Sequence, residues 1–406
     1  MATTRPPVYS AALSSGGSVL AGLLLVTQNG LNTSLRRAAF PNPFQTAAVS
    51  FSVGFGCVFA AAMAHRPRCN DGASLRGAPW YAYLGGPLGC CYVVAAIFLS
   101  VSLGFATFQL AATLGQLSCS LVCDAIGFLV LPKRKPTRWR LLALATMCGA
   151  TGMSIQGVSV EGNWLALVGF IVLAFASGCI FPVQACINGR LVRQVKTPLR
   201  AASFSFAGGA SVLWIATAIT SNTALASWPE GEPAGAGPSG TDWWMWTGGA
   251  CGGFVVSAHV FGVPIIGAAR FTVLFIAAQL CTSLAFDSVG AFGYDAVPPS
   301  PRRIAGVTLA IAAAAAYQLG PPPVRAWWRR LRGLRMRGTR LASVAEGSDR
   351  DAASRGSVDA VEGAVLAGGR KDVADGRRED AANGGAAVSS FSKGGCTLVV
   401  EAEAHV

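Results

Sequence analysis

Two segments each carry an amide, a hydroxyl and a carboxylate at intervals of four residues: Gln116, Ser120 and Asp124, and then Gln279, Ser283 and Asp287. Residues four apart lie on one face of an α-helix, so each set forms a polar stripe. A carboxylate within an apolar helix requires a partner or a hydrated cavity, because its burial in lipid is costly. We expect the glutamines and serines to line a substrate site, and the two aspartates to act as gates or proton sites.

A second set of amides recurs in the same way: Gln28 and Asn32, and then Gln184 and Asn188. These four residues are also candidates for lining a substrate site. Hydrogen bonds between helices are the alternative role for them. For the aspartates, the alternative is a bond to a neighbouring helix end or to a loop cation such as Arg134 or Lys135.

Glycine clusters and cysteines point to packing rather than to catalysis. Small residues that let helices approach closely recur in two clusters: Gly85, Gly86 and Gly89, and Gly248, Gly249 and Gly252. The 12 cysteines fall mostly inside apolar runs and form no C-x-x-C pair, and the 3 histidines form no metal-binding motif. The sequence therefore predicts no enzyme, no metal site and no cofactor.

The composition indicates which elements must hold these residues. Hydrophobic residues make up 52% of the chain and charged residues only 13%, against about 25% charged in soluble proteins. The net charge of +13 lies in short clusters between apolar runs, whereas nucleic-acid binding requires a basic face on a folded domain. We expect an integral membrane protein that contacts the lipid bilayer and does not bind nucleic acid.

Ten apolar runs are long enough to cross a bilayer as helices. They lie near 10–31, 44–64, 80–100, 104–131, 139–158, 164–186, 199–220, 243–263, 268–292 and 302–320. Lys and Arg are concentrated in alternate loops and after the last run, which predicts that both termini are cytoplasmic. The predicted fold class is therefore an all-α, multi-pass membrane protein with ten transmembrane helices.

The polar stripes belong to a longer internal repeat. From Trp80 and Trp243 onward the matches keep one constant offset, which also relates Arg140 to Arg303. The first copy spans residues 10–158 and the second spans 164–320. Each copy has five predicted helices, an odd number, so the second copy must cross the membrane in the opposite sense, as in many secondary transporters.

Four motifs occur once in each copy: Gln-x-x-x-Asn-x-x-Leu, a proline followed by Ser-Phe-x-x-Gly, Trp-x-x-x-x-Gly-Gly-x-x-Gly, and Gln-x-x-x-Ser-Leu-x-x-Asp-x-x-Gly. Together they resemble the YdcZ-type family of the drug/metabolite transporter superfamily, over roughly residues 10–320. The resemblance implies ten transmembrane helices, cytoplasmic termini and transport of a small metabolite. The second copy departs at Ala278, where the first has Gly115, which weakens the tight helix contact expected there.

The ends of the chain differ from the repeat in composition. Residues 1–9 are predicted to form a short cytoplasmic N-terminus. Residues 321–337 combine arginines with Trp327 and Trp328, which predicts an anchor at the membrane interface. Residues 338–406 are rich in Ala, Gly, Ser and mixed charge, which predicts a disordered cytoplasmic tail. Within it, Ser343 follows a short basic pattern that is typical of phosphorylation sites.

The predicted function is a secondary transporter that moves a small metabolite or drug-like solute by alternating access of two inverted copies. The alternative is a membrane scaffold or sensor that transports nothing. The sequence leaves open the solute, a coupling proton or cation, a homodimer, and the membrane in which the protein resides.

Overall fold

The computed structural model describes residues 8–65, 77–129, 131–155, 163–223 and 240–320. All of them lie in one compact unit, Met1–Arg325. The α-helices in this part of the chain are α1 Val8–Ala38, α2 Pro43–Ala64, α3 Gly85–Leu103, α4 Phe105–Ile126, α5 Arg138–Ile155, α6 Trp164–Val195, α7 Pro198–Thr220, α8 Gly248–Ile266, α9 Ala268–Val289 and α10 Pro301–Leu319. The predicted segments 321–337 and 338–406, with Ser343, lie outside the described residues, as does most of 1–9.

The all-helical membrane fold agrees with the sequence. Among the described residues, eight helices are long and apolar enough to cross a membrane by length and composition, namely α1–α4 and α6–α9. The other two, α5 and α10, each have two arginines in the first turn, followed by many alanines and other small residues. These features lower their hydropathy, so the number of ten spans stays a prediction.

Helix ends follow local rules at prolines and glycines. Pro43, Pro198 and Pro301 occupy the first turns of α2, α7 and α10, where the missing N–H group leaves no hydrogen bond unmade. Gly127 (φ 69°) and Gly290 (φ 64°) end α4 and α9 in the left-handed conformation that glycine adopts without strain. Both helices therefore stop a few residues before the predicted ends at 131 and 292.

Two helices are longer than the apolar runs that predicted them. Helix α1 continues to Ala38 instead of ending near 31, and α6 continues to Val195 instead of ending near 186. The extra turns contain arginines, yet they also bury Leu35 and Leu191, each with 1% of its surface exposed. Hydropathy marks where an apolar stretch ends, whereas these helices extend as long as one face still packs against the protein.

Helices of one copy pack mainly against helices of the other. Helix α1 packs against α8 and α9, and α6 packs in the same way against α3 and α4. Helix α2 packs against α7, and α5 against α10. Each contact of this kind recurs when every helix is replaced by its equivalent in the other copy. The two copies are thus interleaved, and the principal core lies between them.

Candidate functional site

The predicted packing glycines lie where the two copies touch. A Cβ atom on Gly86 of α3 would overlap the backbone carbonyl oxygen of Ser205 in α7. A Cβ atom on Gly249 of α8 would overlap the carbonyl oxygen of Ser50 in α2. Gly86 is equivalent to Gly249 in the repeat, and Ser205 is equivalent to Ser50. Glycine is required at both positions because the backbones themselves are in contact.

The remaining glycines of each cluster make room for the amides of α1 and α6. A Cβ atom on Gly89 would lie 2.6 Å from Nε2 of Gln184, and one on Gly252 would lie 2.9 Å from Oε1 of Gln28. Gly85 and Gly248 face the side-chain oxygens of Asn188 and Asn32 in the same manner. The glycine clusters therefore position side chains that the sequence singled out separately. Packing is only part of their role.

A cavity of about 110 Å³ lies between α1, α2, α3, α6, α7 and α8. Three of the predicted substrate-lining residues line it, namely Gln28, Gln184 and Asn188. Gln28 and Gln184 occupy equivalent positions in the two copies, so the cavity receives one glutamine from each. None of the described residues that line it carries a charge.

The aromatic part of this lining was missed by sequence reasoning. Phe51, Phe206, Tyr92 and Phe181 all border the cavity. Phe51 and Phe206 belong to the repeated Ser-Phe-x-x-Gly motif, and this repetition could have identified them. Tyr92 and Phe181 carry no such signal, because their equivalents in the other copy are aliphatic.

Tyr92 forms two buried hydrogen bonds beside the cavity. Its hydroxyl accepts a hydrogen bond from Nδ2 of Asn29 in α1 and donates one to Oε1 of Gln109 in α4, each at 3.4 Å. The Tyr92 ring also stacks edge-on against Phe181 of α6, with 4.5 Å between ring centroids. One side chain thereby fixes the relative positions of α1, α4 and α6 around the cavity.

The other predicted lining residues lie elsewhere. Gln279 is buried in α9, and its Nε2 donates to Oγ1 of Thr113 in α4 at 3.0 Å. Ser283 donates to the carbonyl of Leu280 in its own helix. Gln116 and Ser120 are half-buried in α4, and neither is among the residues that line the central cavity.

Asn32 is also absent from that lining. Its side-chain amide is buried without a hydrogen-bond partner among the described residues. The structure therefore brings Gln28, Gln184 and Asn188 together and leaves the α4 and α9 stripes outside the cavity.

The buried carboxylate of Asp287 accepts hydrogen bonds from the start of α4. Its Oδ1 accepts the backbone N–H of Phe105 at 2.8 Å, and its Oδ2 accepts that of Ala106 at 3.0 Å. Nη2 of Arg303 in α10 donates to Oδ2 at 2.6 Å. The first N–H groups of a helix carry partial positive charge and lack partners within the helix, so a carboxylate is favoured there. Both alternatives for this aspartate, a helix end and a cation, occur together.

Asp124, the equivalent residue in the first copy, has only part of this arrangement. Nη1 of Arg140 donates to its Oδ2 at 2.7 Å. The backbone N–H of Arg134, a predicted partner, donates to the Asp124 backbone carbonyl at 2.7 Å. The start of α9, equivalent to the start of α4, is not in contact with Asp124: a Cβ atom on Gly267 would meet nothing within 4 Å, whereas one on Gly104 would lie 3.2 Å from Asp287.

An aromatic cluster closes the Asp287 end further. The Phe105 ring packs edge-on against Phe286, Phe292 and Tyr294. The Arg37 guanidinium lies 4.2 Å from the centre of the Tyr294 ring, so the end of α1 is attached to the same cluster. Phe292 adopts a left-handed φ of 62°, a conformation that costs energy for a residue with a side chain. The packing of its ring against Phe105 and Phe286 holds it there.

A helical membrane bundle of two related, interleaved copies with an uncharged cavity between them is typical of multi-pass membrane transporters. A family model described as "Putative inner membrane exporter, YdcZ" matches the chain twice, over residues 14–153 and 169–316. The chain therefore belongs to the YdcZ family of drug/metabolite transporters and contains two copies of its domain.

The fold agrees with that of a solved structure described only as the crystal structure of a protein. It has 20% sequence identity to this chain and a TM-score of 0.50, with 78% of this chain and 98% of that chain covered. At this identity the likeness concerns the fold alone. No curated protein matches the chain.

Proposed function

We propose that the protein is a secondary transporter that carries a small solute through the central cavity by alternating access of two inverted copies. The observation that carries this proposal is the unequal state of two equivalent gates. Asp287 is bonded to the first turn of α4 and is buried, with 5% of its side chain exposed. Asp124 has no such helix contact and has 18% of its side chain exposed. Two equivalent gates, one closed and one open, are what alternating access requires of each end state.

The contacts of α4 and α9 support the inversion. Asp287, in the last turn of α9, meets the first turn of α4, while Asp124 lies in the last turn of α4 itself. Because the end of α9 lies beside the start of α4, these two equivalent helices run in opposite directions. Asp124 and Asp287 are then about 28 Å apart, since 19 residues separate Phe105 from Asp124 at about 1.5 Å each. This distance supports two gates near opposite membrane surfaces.

This inversion requires α5 to cross the membrane. If α5 did not cross the membrane, the second copy would start on the same side as the first and would run parallel to it. The packing of α5 against α10 and the bonds from Arg140 and Arg303 to the two aspartates support two further spans that close the bundle. The loop charges then put both termini and the Asp124 gate on the cytoplasmic side.

The exchange between states follows from the repeat. In the opposite state, Asp124 accepts the N–H groups of Ala268 and Ala269, the equivalents of Phe105 and Ala106, and Asp287 releases α4. The solute in the central cavity is then exposed to the outside instead of the cytoplasm. A proton or cation taken up by an aspartate when its helix end departs would couple this exchange to an ion gradient.

The test is a pair of chemical cross-links in a cysteine-free variant reconstituted in liposomes. Cysteines at Phe105 and Phe292, whose ring centroids lie 6.1 Å apart, report the outer gate. Cysteines at the equivalent positions Ala268 and Leu129 report the inner gate. One variant carries the inner pair together with Phe105→Cys alone. When a short bifunctional thiol reagent links its inner pair, Phe105→Cys is expected to become reactive toward an impermeant maleimide added outside.

A scaffold or sensor that transports nothing predicts another result. Closure of the inner pair would then leave the reactivity of Phe105→Cys unchanged, and this result would refute alternating access. The matched control is Asn163→Cys, at an exposed position just before α6 that belongs to neither gate. Its reactivity is expected to stay the same in both states.

A further inference from the structure

The chemistry of the cavity lining restricts the solute. The hydrogen-bonding groups among the lining residues that the structure describes are the amides of Gln28, Gln184 and Asn188 and the hydroxyls of Ser205 and Tyr92. The rest of the lining is aromatic, aliphatic or glycine. We propose that the cavity binds an uncharged solute of about the size of a benzene ring that carries an amide-like donor and acceptor. This proposal rests on the transport function proposed above and specifies its substrate class.

A charged solute does not suit this lining, because nothing offsets the loss of its hydration. Removal of an ion from water remains costly even after the protein relaxes. Contact with the faces of aromatic rings would stabilise a cation in the cavity, but by less than this cost. Asp124 and Asp287 are already paired with arginines at the ends of the bundle, and neither lines the cavity.

The two glutamines are available to a solute. Gln28 has only 5% of its surface exposed, and its side chain forms no hydrogen bond with the residues that the structure describes. The side-chain oxygen of Asn188 is likewise buried without a partner among them. A solute amide provides both a donor and an acceptor, as each glutamine does, so it can form hydrogen bonds with both.

The walls select for size and shape. A cavity of about 150 Å³ in another protein holds benzene, so a cavity of about 110 Å³ limits the solute to about one ring or a chain of similar volume. The rings of Phe51 and Phe206 approach each other to 5.3 Å between centroids, and Tyr92 and Phe181 approach to 4.5 Å. Aromatic faces and edges of this kind favour a planar apolar group. The amides then orient its polar end.

Three compounds of nearly identical shape separate the effect of charge from that of size. At pH 7 benzamide is neutral, benzoate is an anion and benzamidine is a cation. Binding of each to the purified full-length protein in lipid nanodiscs is measured by isothermal titration calorimetry. We expect benzamide to bind at least tenfold more tightly than either ion. Gln28→Leu and Gln184→Leu should each weaken benzamide binding at least tenfold, and Gln45→Leu, a glutamine of α2 outside the cavity lining, should not.

A variant with a new charge provides an independent check. Gln28→Glu places a carboxylate in the lining and is expected to reverse the preference, so that benzamidine binds more tightly than benzamide. Tighter binding of benzoate or benzamidine to the unaltered protein would overturn the substrate class, as would an absence of benzamide binding or benzamide binding that neither leucine variant weakens. None of these results bears on the cross-linking test, whose failure would instead overturn the transport function itself.

Discussion

Replacement of Asp287 by asparagine should damage the protein far more than replacement of its equivalent, Asp124. Asp287 and Arg303 have 5% and 7% of their side chains exposed. The Nε and Nη1 atoms of Arg303 are buried without partners among the described residues, so this guanidinium depends on one carboxylate. Removal of one member of a buried ion pair costs about 3–5 kcal/mol, because the other charge is left uncompensated. We expect Asp287→Asn to lose this amount of stability.

The Asp124–Arg140 pair predicts a much smaller effect. Its side chains are 18% and 21% exposed, so water compensates part of any lost interaction. Ion pairs near the surface contribute about 0.2–1 kcal/mol. Asp124→Asn is therefore the matched control, with the same chemical change at the equivalent residue. The expected difference between the two variants is at least about 2 kcal/mol, the gap between these two ranges.

Unfolding of the purified protein by a denaturing detergent, followed by tryptophan fluorescence, measures both losses of stability. A third variant combines Asp287→Asn with Arg303→Met. It is expected to regain most of the stability, because a buried apolar residue replaces an unpaired charge. Equal losses in the two single variants would contradict the argument, since they would mean that the two aspartates have the same environment. Failure of the double variant to recover would show that the helix contact of Asp287, rather than its ion pair, dominates.

Three further outcomes follow from the packing. Gly86→Ala should reduce stability by more than about 1 kcal/mol, because the added Cβ would overlap a backbone carbonyl. Gly152→Ala, whose Cβ would meet nothing within 4 Å, should be tolerated. Thermal unfolding of both variants measures this difference. Tyr92→Phe should reduce stability by about 1–3 kcal/mol, since Asn29 and Gln109 lose their shared hydrogen-bond partner. A negligible loss in the same unfolding assay would contradict these two hydrogen bonds. Thr137→Cys and Asn163→Cys, which flank α5, should react with an impermeant maleimide from opposite sides of the membrane, and labelling from one side would exclude ten spans.

The polar motifs show how far sequence reasoning reached towards the candidate site. Gln28, Gln184 and Asn188 were identified from their repetition alone, and the structure brings them to one cavity. Gln279 carried the same kind of signal but is bonded to Thr113 between α4 and α9. Spacing along a helix indicates which residues share a face, but it does not indicate whether that face packs against another helix or lines a cavity. Tyr92 lay beyond prediction because its partners come from distant segments, α1 and α4.

The sequence by itself determined the helical membrane fold and the duplication. Apolar length, glycine ends and repeated motifs are local properties, and each acts through residues close together in the chain. Only the tertiary structure decided that Asp287 is sealed against α4 while Asp124 remains apart from α9. The two aspartates have the same motif around them, so no local rule distinguishes them. The difference arises from how the helices of the two copies are packed, and that depends on contacts between residues more than a hundred positions apart, such as Asp287 and Phe105.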